Sequence, residues 1–312
     1  MTHPLLHPVI VAAVERAASA HRGRPWTASG FTDLNDRAAH PSGILHGTPF
    51  SVFAKLSQDA DSGGEQFAAE LKGLELIARL AAIRTPTQVA TGVVSAGTSW
   101  LLLSEALPER VGEARTPEDY RAIGHTLAAL HQVNAHRFGL SQFNGFFGPF
   151  SQDNRPVGSD RWTDFYAERR VQPMLRLAVD SGNLPTGLAD RTERLIERLP
   201  DLCGPEPRPS LLHGDAQQNN FICTADSAIV IDAAPYFGHP ELDLALLDYF
   251  EPVSLAAFDG YQEIRPIDDG FDERRELWRI FSYLAVIAAV GQIPFGSRFV
   301  TSLANALDRN AR

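Results

Sequence analysis

The sequence is poor in lysine and cysteine and has no long apolar run. Only Lys55 and Lys72 are lysines among its 28 basic residues, and the other 26 are arginines. Two cysteines, Cys203 and Cys223, are too few for a disulfide framework and lack metal-ligand spacing, so we expect a reducing compartment, the cytoplasm. No stretch approaches the ~20 apolar residues of a membrane span, and the first residues lack the pattern of a signal peptide. The sequence therefore predicts a cytoplasmic protein that does not bind membranes.

The chain is also short of positive charge. Its 312 residues include 28 basic and 38 acidic side chains, a net charge of −10 at pH 7. This balance argues against a nucleic-acid partner, because phosphate-dominated binding needs a basic surface. Residues 1–107 carry 8 basic and 9 acidic side chains, whereas residues 108–312 carry 20 and 29. The acidity therefore lies in the C-terminal part, which favours a cationic or neutral small substrate there.

Hydrophobic periodicity changes near residue 108. Before it, the pattern predicts helices over 9–21 and 65–83 and strands over 51–56, 89–94 and 100–103. After it the pattern is mainly helical, and short strand-like runs interrupt it at 210–212, 221–223 and 228–231. The predicted helices begin at 117 and lie at about 160–181, 187–199, 241–250, 254–263, 273–290 and 297–308. We therefore predict an α+β protein with a boundary after residue 107.

The strand-like island carries the strongest chemical motif. Asp215 precedes Asn220 by five residues in a loop between apolar runs, and Asp232 ends the apolar run 229–231. This is the spacing of a kinase-type catalytic loop, in which the first Asp deprotonates the acceptor hydroxyl while Asn and the second Asp hold Mg²⁺. Phosphoryl transfer needs hard oxygen ligands for the metal and a carboxylate beside the nucleophile. The alternative, that Asp215 and Asn220 only form turns, does not explain Asp232.

A second motif pairs a scarce lysine with a glutamate. Lys55 lies on a predicted strand and Glu70 on the helix that follows, as do the lysine that contacts the ATP phosphates in kinases and the glutamate that positions it. A compact ammonium suits this place better than a guanidinium fork. Glu75 is the competing partner but fits the spacing less well. Lys72 falls on another helix face and is predicted to be a surface residue.

Weaker signals complete a nucleotide site. Gly30 and Phe31 occupy the place of a phosphate-covering loop, although one glycine equally suits an ordinary turn. Residues Ser104, Glu105 and Leu107 end the last strand of the first part. In a kinase-like fold they would form the linker that binds adenine.

These motifs together resemble the fructosamine kinase (ketosamine-3-kinase) family, within the aminoglycoside phosphotransferase and protein-kinase-like fold. The resemblance spans most of the chain and includes residues 53–56, 161–170 and 212–215. Its most distinctive part is the tract 232–245. It implies a two-lobed fold: an N-terminal nucleotide-binding lobe, 1–107, with a small sheet and a helix, and a larger, mainly helical catalytic and acceptor-binding lobe, 108–312.

The resemblance also implies an activity, ATP-dependent phosphorylation of a sugar hydroxyl on a ketoamine, with the glycated amine as partner. Asp215 would be the catalytic base, Asn220 and Asp232 the Mg²⁺ ligands, and Lys55 with Glu70 the phosphate-positioning pair. His213 and Asp243 would support the catalytic loop from below, although Asp243 also suits a helix cap.

One departure concerns the acceptor. The family commonly has Leu-Trp after the catalytic Asp, and this chain has Ala216 and Gln217. An aromatic face packs on a sugar, whereas Gln offers hydrogen bonds, so we expect a changed acceptor pocket. Trp162 and Tyr236 are candidates for a replacement aromatic wall, with burial in the core as the alternative.

Two other functions stay open from the sequence alone. One is a phosphotransferase of the same fold that acts on an aminoglycoside or another hydroxylated amine. The other is a nucleotide-binding protein without catalysis, which the complete set of motif residues disfavours. Protein kinase activity is not expected, because no Asp-Phe-Gly or Ala-Pro-Glu signature follows Asp232.

Overall fold

Two hydrophobic cores organise the chain. The computed structural model describes residues 3–37, 40–109, 114–224, 227–291 and 293–311. The smaller core draws its buried residues from between Leu5 and Leu103, and the larger one from between Leu74 and Leu307. The α+β class and the two-lobed arrangement predicted from the sequence are confirmed, with a sheet-containing N-terminal part and a mainly helical C-terminal part.

The smaller core lies between one helix and an antiparallel sheet. Helix α1 (Pro8–Arg22) places Ile10, Val14 and Ala18 in this core. The sheet has five strands in the order β1-β2-β3-β5-β4. These are β1 (Gly30–Asp33), β2 (Ser42–His46), β3 (Val52–Ser57), β4 (Val94–Ala96) and β5 (Ser99–Glu105). The predicted strand over 89–94 is wrong for most of its length, since only its last residue enters β4.

Helix α2 (Gly63–Ala81) follows β3 and joins the two parts. Its Leu74 and Ile77 lie in the larger core, although the helix comes from the N-terminal part. A Cβ at Gly73 would lie 2.7 Å from Pro235 Cδ and 2.8 Å from the Ala233 carbonyl oxygen. A glycine is therefore needed here, because the helix backbone packs directly on the segment that follows Asp232.

The C-terminal part begins at α3, whose capping box is formed by Thr116 and Asp119. Its helices are α3 (Pro117–His131), α4 (Trp162–Tyr166), α5 (Gln172–Asp180), α6 (Thr186–Leu202), α7 (Pro240–Leu246), α8 (Ala256–Gln262), α9 (Phe271–Trp278), α10 (Ile280–Val290) and α11 (Pro294–Arg309). A π-helical turn, Ala167–Val171, joins α4 to α5. The predicted helix over 273–290 is two helices that meet at Arg279, whose guanidinium donates to the Ala245 carbonyl.

Short strand pairs interrupt these helices. Strands β6 (Gly145–Phe147) and β7 (Phe150–Gln152) form a hairpin, β8 (Ser210–Leu211) pairs with β11 (Phe237–Gly238), and β9 (Phe221–Cys223) pairs with β10 (Ala228–Val230). The last two pairs flank the loop that carries Asp215. Within the described ranges, no helix has both the length and the apolar composition that a membrane span requires.

Candidate active site

Lys55 on β3 lies between two carboxylates at the junction of the two cores. Its Nζ donates to Glu70 Oε2 on α2 at 2.9 Å and to Asp232 Oδ1 at 2.5 Å. Burial alone would lower the pKa of Lys55, but the charges of Asp232 and Glu70 outweigh it and raise that pKa above its ordinary value. The same ammonium outweighs burial at Asp232 and holds its pKa below the ordinary value. Lys55 is therefore charged, and it holds Asp232 ionised.

At Glu70, by contrast, burial outweighs the Lys55 charge and raises the pKa of the carboxyl above its ordinary value. Asp232 itself follows β10 with a left-handed backbone, φ 52°. Asp tolerates this region better than most residues, at a cost of about 1 kcal/mol or more. Strain of this kind persists where contacts hold the residue in place, and Asp232 is held by its ion pair with Lys55.

The catalytic loop folds around its own backbone. Asn220 Nδ2 donates to the Asp215 carbonyl at 2.8 Å, and the Ile231 N–H donates to the Asn220 carbonyl at 3.0 Å. Gly214 has φ 83°, and a Cβ there would lie 2.1 Å from the Ala234 carbonyl oxygen, so only glycine fits. These contacts bring the loop beside the end of β10, where Asp232 begins the next segment.

A fully buried carboxylate supports this loop from below. Asp243 on α7 accepts hydrogen bonds from the backbone N–H of His213 at 2.6 Å and of Gly214 at 3.1 Å. His131 Nε2 lies 3.1 Å from the same carboxylate, and His131 Nδ1 lies 2.8 Å from the Tyr261 hydroxyl. Asp243 therefore lies where the sequence predicts an acid that supports the catalytic loop, and His213 belongs to the backbone that it supports.

Asp215 is a carboxylate whose environment favours the protonated form. Burial raises its pKa to about 7, and a hydrogen bond from Gln217 opposes that rise. Gln217 Nε2 donates to Asp215 Oδ1 at 2.7 Å. A carboxylate with a pKa near the working pH is suited to general base chemistry. Gln217, predicted to contact the acceptor, thus contacts the predicted base.

A cavity of about 380 Å³ lies between the sheet and the larger core. Ser104, Glu105 and Leu107 line it on the linker side, as predicted for an adenine site. Its inner end is formed by Lys55 and Asp232. Apolar side chains form the walls: Ile44, Phe53, Leu74, Leu102, Ile222 and Ile231. An apolar slot that ends at charged groups suits a nucleotide, whose base is flat and whose phosphates are charged.

A second cavity, of about 350 Å³, opens on the other side of the same charged groups. Lys55 and Asp232 line both cavities, while Asp215 lines only the second. The β6–β7 hairpin contributes residues 145, 146, 148 and 149 to its lining. The geometry thus supplies two compartments that meet at Lys55, with the candidate base in the second.

The two residues predicted to cover the phosphates lie elsewhere. Gly30 and Phe31 belong to β1, where they pair with His46 and Leu45, and neither lines either of the two cavities described above. The loop next to the first cavity is instead the β1–β2 connection, which contributes Leu34 and Asp36. The prediction placed the phosphate-covering loop at the single glycine, Gly30, which lies four residues before Leu34.

Of the two alternatives for Trp162 and Tyr236, the structure supports burial in the core and not an aromatic wall. Trp162 is 1% exposed and packs between the rings of Phe165 and Tyr166. Tyr236 is equally buried, with the Arg170 guanidinium 3.9 Å from its ring centre. Both side chains belong to the core, because the β8–β11 pair and α4 bury this aromatic cluster beneath the catalytic loop.

Sequence reasoning missed three residues beside these cavities. Arg115 lines the nucleotide cavity and donates to the carbonyls of Gln218 at 2.9 Å and Phe221 at 2.7 Å, which fixes the segment around Asn220. His40 and Gln66 line the second cavity. None of the three belongs to a motif. The one sequence signal that could have indicated Arg115 is its positive charge next to a predicted helix cap.

The residues that would bind a metal are few. Over the described ranges, no group of three or more His, Cys, Asp or Glu side chains has the arrangement of a metal site. Asn220 uses its amide nitrogen on the Asp215 carbonyl, which leaves its amide oxygen for another partner, and Asn220 and Asp232 line the same cavity. One carboxylate and one amide oxygen fit Mg²⁺, which commonly completes its shell with water and substrate phosphates.

Comparison with known proteins places this geometry in a family. The sequence matches the fructosamine kinase family profile over residues 10–310. It is 34% identical over 285 residues to a Synechocystis protein named "probable ketoamine kinase", with 90% of this chain and 92% of the relative aligned. A Klebsiella aerogenes protein of the same name is 31% identical over 243 residues, covering 78% of this chain and 79% of the relative.

Solved structures agree with this placement. The crystal structure of a Thermobifida fusca protein named as a fructosamine-3-kinase superposes with a TM-score of 0.79 at 28% identity, over 97% of this chain and 99% of that one. An aminoglycoside phosphotransferase in complex with ADP and hygromycin B shares the fold, with a TM-score of 0.63 at 13% identity, over 96% and 99% of the two chains. The chain therefore belongs to the fructosamine kinase family, as its motifs predicted, and is a phosphotransferase with an alcohol group as acceptor.

Proposed function

We propose that this chain transfers the γ-phosphate of ATP to a sugar hydroxyl of a ketoamine, with Asp215 as the base. One observation carries the proposal: two cavities meet at Lys55 and Asp232, and Asp215 faces the one beyond the nucleotide. ATP in the apolar cavity would extend its phosphates to this junction. The acceptor would then approach from the second cavity, in line with the bond that breaks.

Each charged group has a task in this arrangement. Lys55, positioned by Glu70, binds the phosphates as a compact cation. Asn220 and Asp232 would hold Mg²⁺, which when bound neutralises charge on the phosphates. Asp215 accepts the proton of the attacking hydroxyl, and its pKa near 7 leaves a substantial deprotonated fraction at neutral pH.

The N-terminal part, residues 1–107, would serve as the nucleotide lobe and residues 108–312 as the catalytic and acceptor lobe. The position of Ser104, Glu105 and Leu107 in the lining of the first cavity supports this division. A glycated amine suits the second cavity, whose lining includes the carboxylates of Glu70 and Asp215.

The test is ADP release from ATP and Mg²⁺ with a panel of acceptors: a fructosamine, a ribulosamine and an aminoglycoside. We expect turnover with the two ketoamines, and phosphorus NMR of the product should show a phosphate monoester. Turnover of aminoglycosides alone would overturn the acceptor assignment while leaving phosphoryl transfer intact.

Two variants test the assigned base. Asp215→Asn should lower kcat by about 10²–10⁴ while ATP still binds, since the variant loses the proton acceptor but keeps the cavity. Asp190→Asn changes an exposed carboxylate of α6 in the same way and should have no effect. Wild-type turnover in the Asp215→Asn variant would exclude Asp215 as the base.

A further inference from the structure

A third cavity, of about 170 Å³, lies in the C-terminal part of the chain. It shares no lining residue with the two cavities of the candidate active site. Three segments form it: residues 205–207, the beginning of α7, and the stretch from residue 261 to residue 274. Four of its lining residues are prolines, whose fixed φ angles restrict the movement of the wall: Pro205, Pro207, Pro240 and Pro266. Little conformational freedom is therefore lost when a ligand fills it.

His239 presents an unused hydrogen-bond donor to this cavity. Its side chain lines the cavity although the residue is only 5% exposed. Nδ1 accepts the Glu241 N–H at 3.2 Å, so the neutral ring carries its proton on Nε2. Burial, followed by the charges of Arg274 and Arg265, lowers the pKa of His239 to about 3, which keeps the ring neutral. No residue in the described ranges accepts the Nε2–H, and a buried donor of this kind calls for a partner from outside the chain.

Arg265 lines the same cavity as a cation without a carboxylate partner. Its Nη1 donates to the His131 carbonyl and, at 3.2 Å, to Ser210 Oγ, which fixes the position of the guanidinium. Among the residues that the structure describes, none accepts a hydrogen bond from its Nε or Nη2 or forms an ion pair with it. These two nitrogens lie on one edge of the guanidinium and suit the two oxygens of a carboxylate.

Acidic side chains at the rim complement these donors. Glu206 and Asp268 are exposed, and each uses one carboxylate oxygen for hydrogen bonds and keeps the other for a further partner. The third carboxylate of the lining, Glu241, is paired with Arg274. Three carboxylates against two guanidinium groups disfavour a polyanion such as a nucleotide phosphate. A ligand with one anionic and one cationic group suits the inner donors and the acidic rim together.

We propose that this cavity binds a small amino acid as its zwitterion. The ligand carboxylate accepts hydrogen bonds from Arg265 and from His239 Nε2, and its ammonium group faces Glu206 and Asp268 at the rim. A volume of about 170 Å³ suits such a ligand, since it is well below the ~300–1,000 Å³ of sites for drug-sized molecules. The inference does not rest on the proposed function, because the cavity is separate from the proposed ATP and acceptor sites.

Saturation-transfer NMR titrations at pH 7, without ATP or a ketoamine, test this proposal. Three ligands with closely matched carbon skeletons separate the two charges: L-alanine has both groups, propionate lacks the ammonium and ethylamine lacks the carboxylate. We expect saturable binding of L-alanine and binding at least about tenfold weaker for the other two, since each loses charge-assisted hydrogen bonds. Propionate that binds as tightly as L-alanine would overturn the zwitterion assignment. Absence of L-alanine binding to the wild type would overturn the site itself.

Two variants of the inner donors locate the binding. His239→Asn keeps an acceptor for the Glu241 N–H and loses the Nε2 donor, and Arg265→Met keeps the aliphatic stem and loses the guanidinium. Each should weaken L-alanine binding at least about tenfold. Arg176→Met, at an exposed arginine of α5, is the matched control and should bind L-alanine as the wild type does. Unchanged affinity in both donor variants would place the bound L-alanine elsewhere and overturn the proposal.

A rim variant keeps the test independent of the stability of these buried positions. Glu206→Gln changes an exposed residue and retains an oxygen for the Trp162 N–H. It should weaken L-alanine severalfold and leave propionate unchanged, because it removes only a charge that faces the ammonium group. Equal effects on the two ligands, or no effect on L-alanine, would contradict the proposed orientation.

Discussion

The Gln217 side-chain amide donates a hydrogen bond to Asp215 Oδ1 at 2.7 Å, two positions along the chain from the candidate base. This contact engages one carboxylate oxygen of the candidate base. Where the family commonly carries tryptophan, this chain therefore has a residue that acts on the base itself. The first two predictions follow from that relationship.

Gln217→Leu should move the pH dependence of catalysis. Burial raises the pKa of Asp215 to about 7 and the Gln217 hydrogen bond opposes this, so removing the donor raises the pKa further. A smaller fraction of the base is then deprotonated at pH 7. We expect the acid limb of the kcat/KM profile to move to higher pH by about one pH unit, with activity largely recovered above pH 8.5. An unmoved limb contradicts the assignment, and Gln142→Leu, at an exposed glutamine, provides the control.

Gln217→Trp should separate acceptor binding from chemistry. The indole ring adds a flat apolar face for a sugar but removes the amide donor from Asp215. We expect a lower KM for a fructosamine, an unchanged KM for ATP and a severalfold lower kcat, measured by steady-state ADP release. A higher acceptor KM would show that the side chain at 217 does not face the acceptor.

Lys55→Met should reduce both activity and stability. The variant leaves Glu70 and the partly exposed Asp232 as neighbouring carboxyl groups without their cation, which destabilises the folded state. Thermal unfolding should show a lower Tm, and kcat/KM for ATP should fall at least a hundredfold. The double variant Lys55→Met/Glu70→Met removes one of the two repelling charges. We expect it to recover much of the Tm and none of the activity, and a recovery of activity would refute the phosphate-binding role of Lys55.

Asp243→Asn should weaken the catalytic loop and leave nucleotide binding intact. Both carboxylate oxygens accept backbone N–H groups of the loop, whereas the amide has one acceptor and one donor. One buried N–H then loses its partner, at a cost of about 1–3 kcal/mol. We expect a lower Tm and a kcat reduced about tenfold, with the affinity for ADP unchanged. Asp259→Asn, at an exposed residue of α8, serves as the matched control.

The motif residues could be predicted from sequence because their spacing follows from local chain geometry. Lys55 lies on a strand and Glu70 on the next helix, so they can meet only if the helix packs back on the sheet. The other three motif residues are joined by one short antiparallel pair, β9 with β10: Asp215, Asn220 and Asp232. The family, the fold class and the kinase activity inferred from these residues are confirmed. The assigned roles of the individual residues stay predictions.

The wrong predictions concern features that spacing does not determine. An aromatic side chain such as Trp162 or Tyr236 suits the wall of a pocket and the core of a domain equally well. Packing with Arg170 and the neighbouring rings, which the sequence does not show, buries both residues in the core. The position of the phosphate loop depended on hairpin register, and a single glycine does not define register. His40 was missed for the same reason, since its place over the cavity is set by the β1–β2 pairing.

The ion pairs of Lys55 connect the sheet of the smaller core to elements that pack in or beside the larger core. The neighbours of Lys55 on β3, Ala54 and Leu56, belong to the smaller core, whereas α2 is anchored in the larger core and touches the Asp232 segment at Gly73. Any rotation of the sheet away from the rest of the chain would therefore pull the ammonium from both carboxylates at once. In the proposed function, phosphate binding at Lys55 would therefore depend on how the sheet packs on α2 and on the segment that carries Asp232.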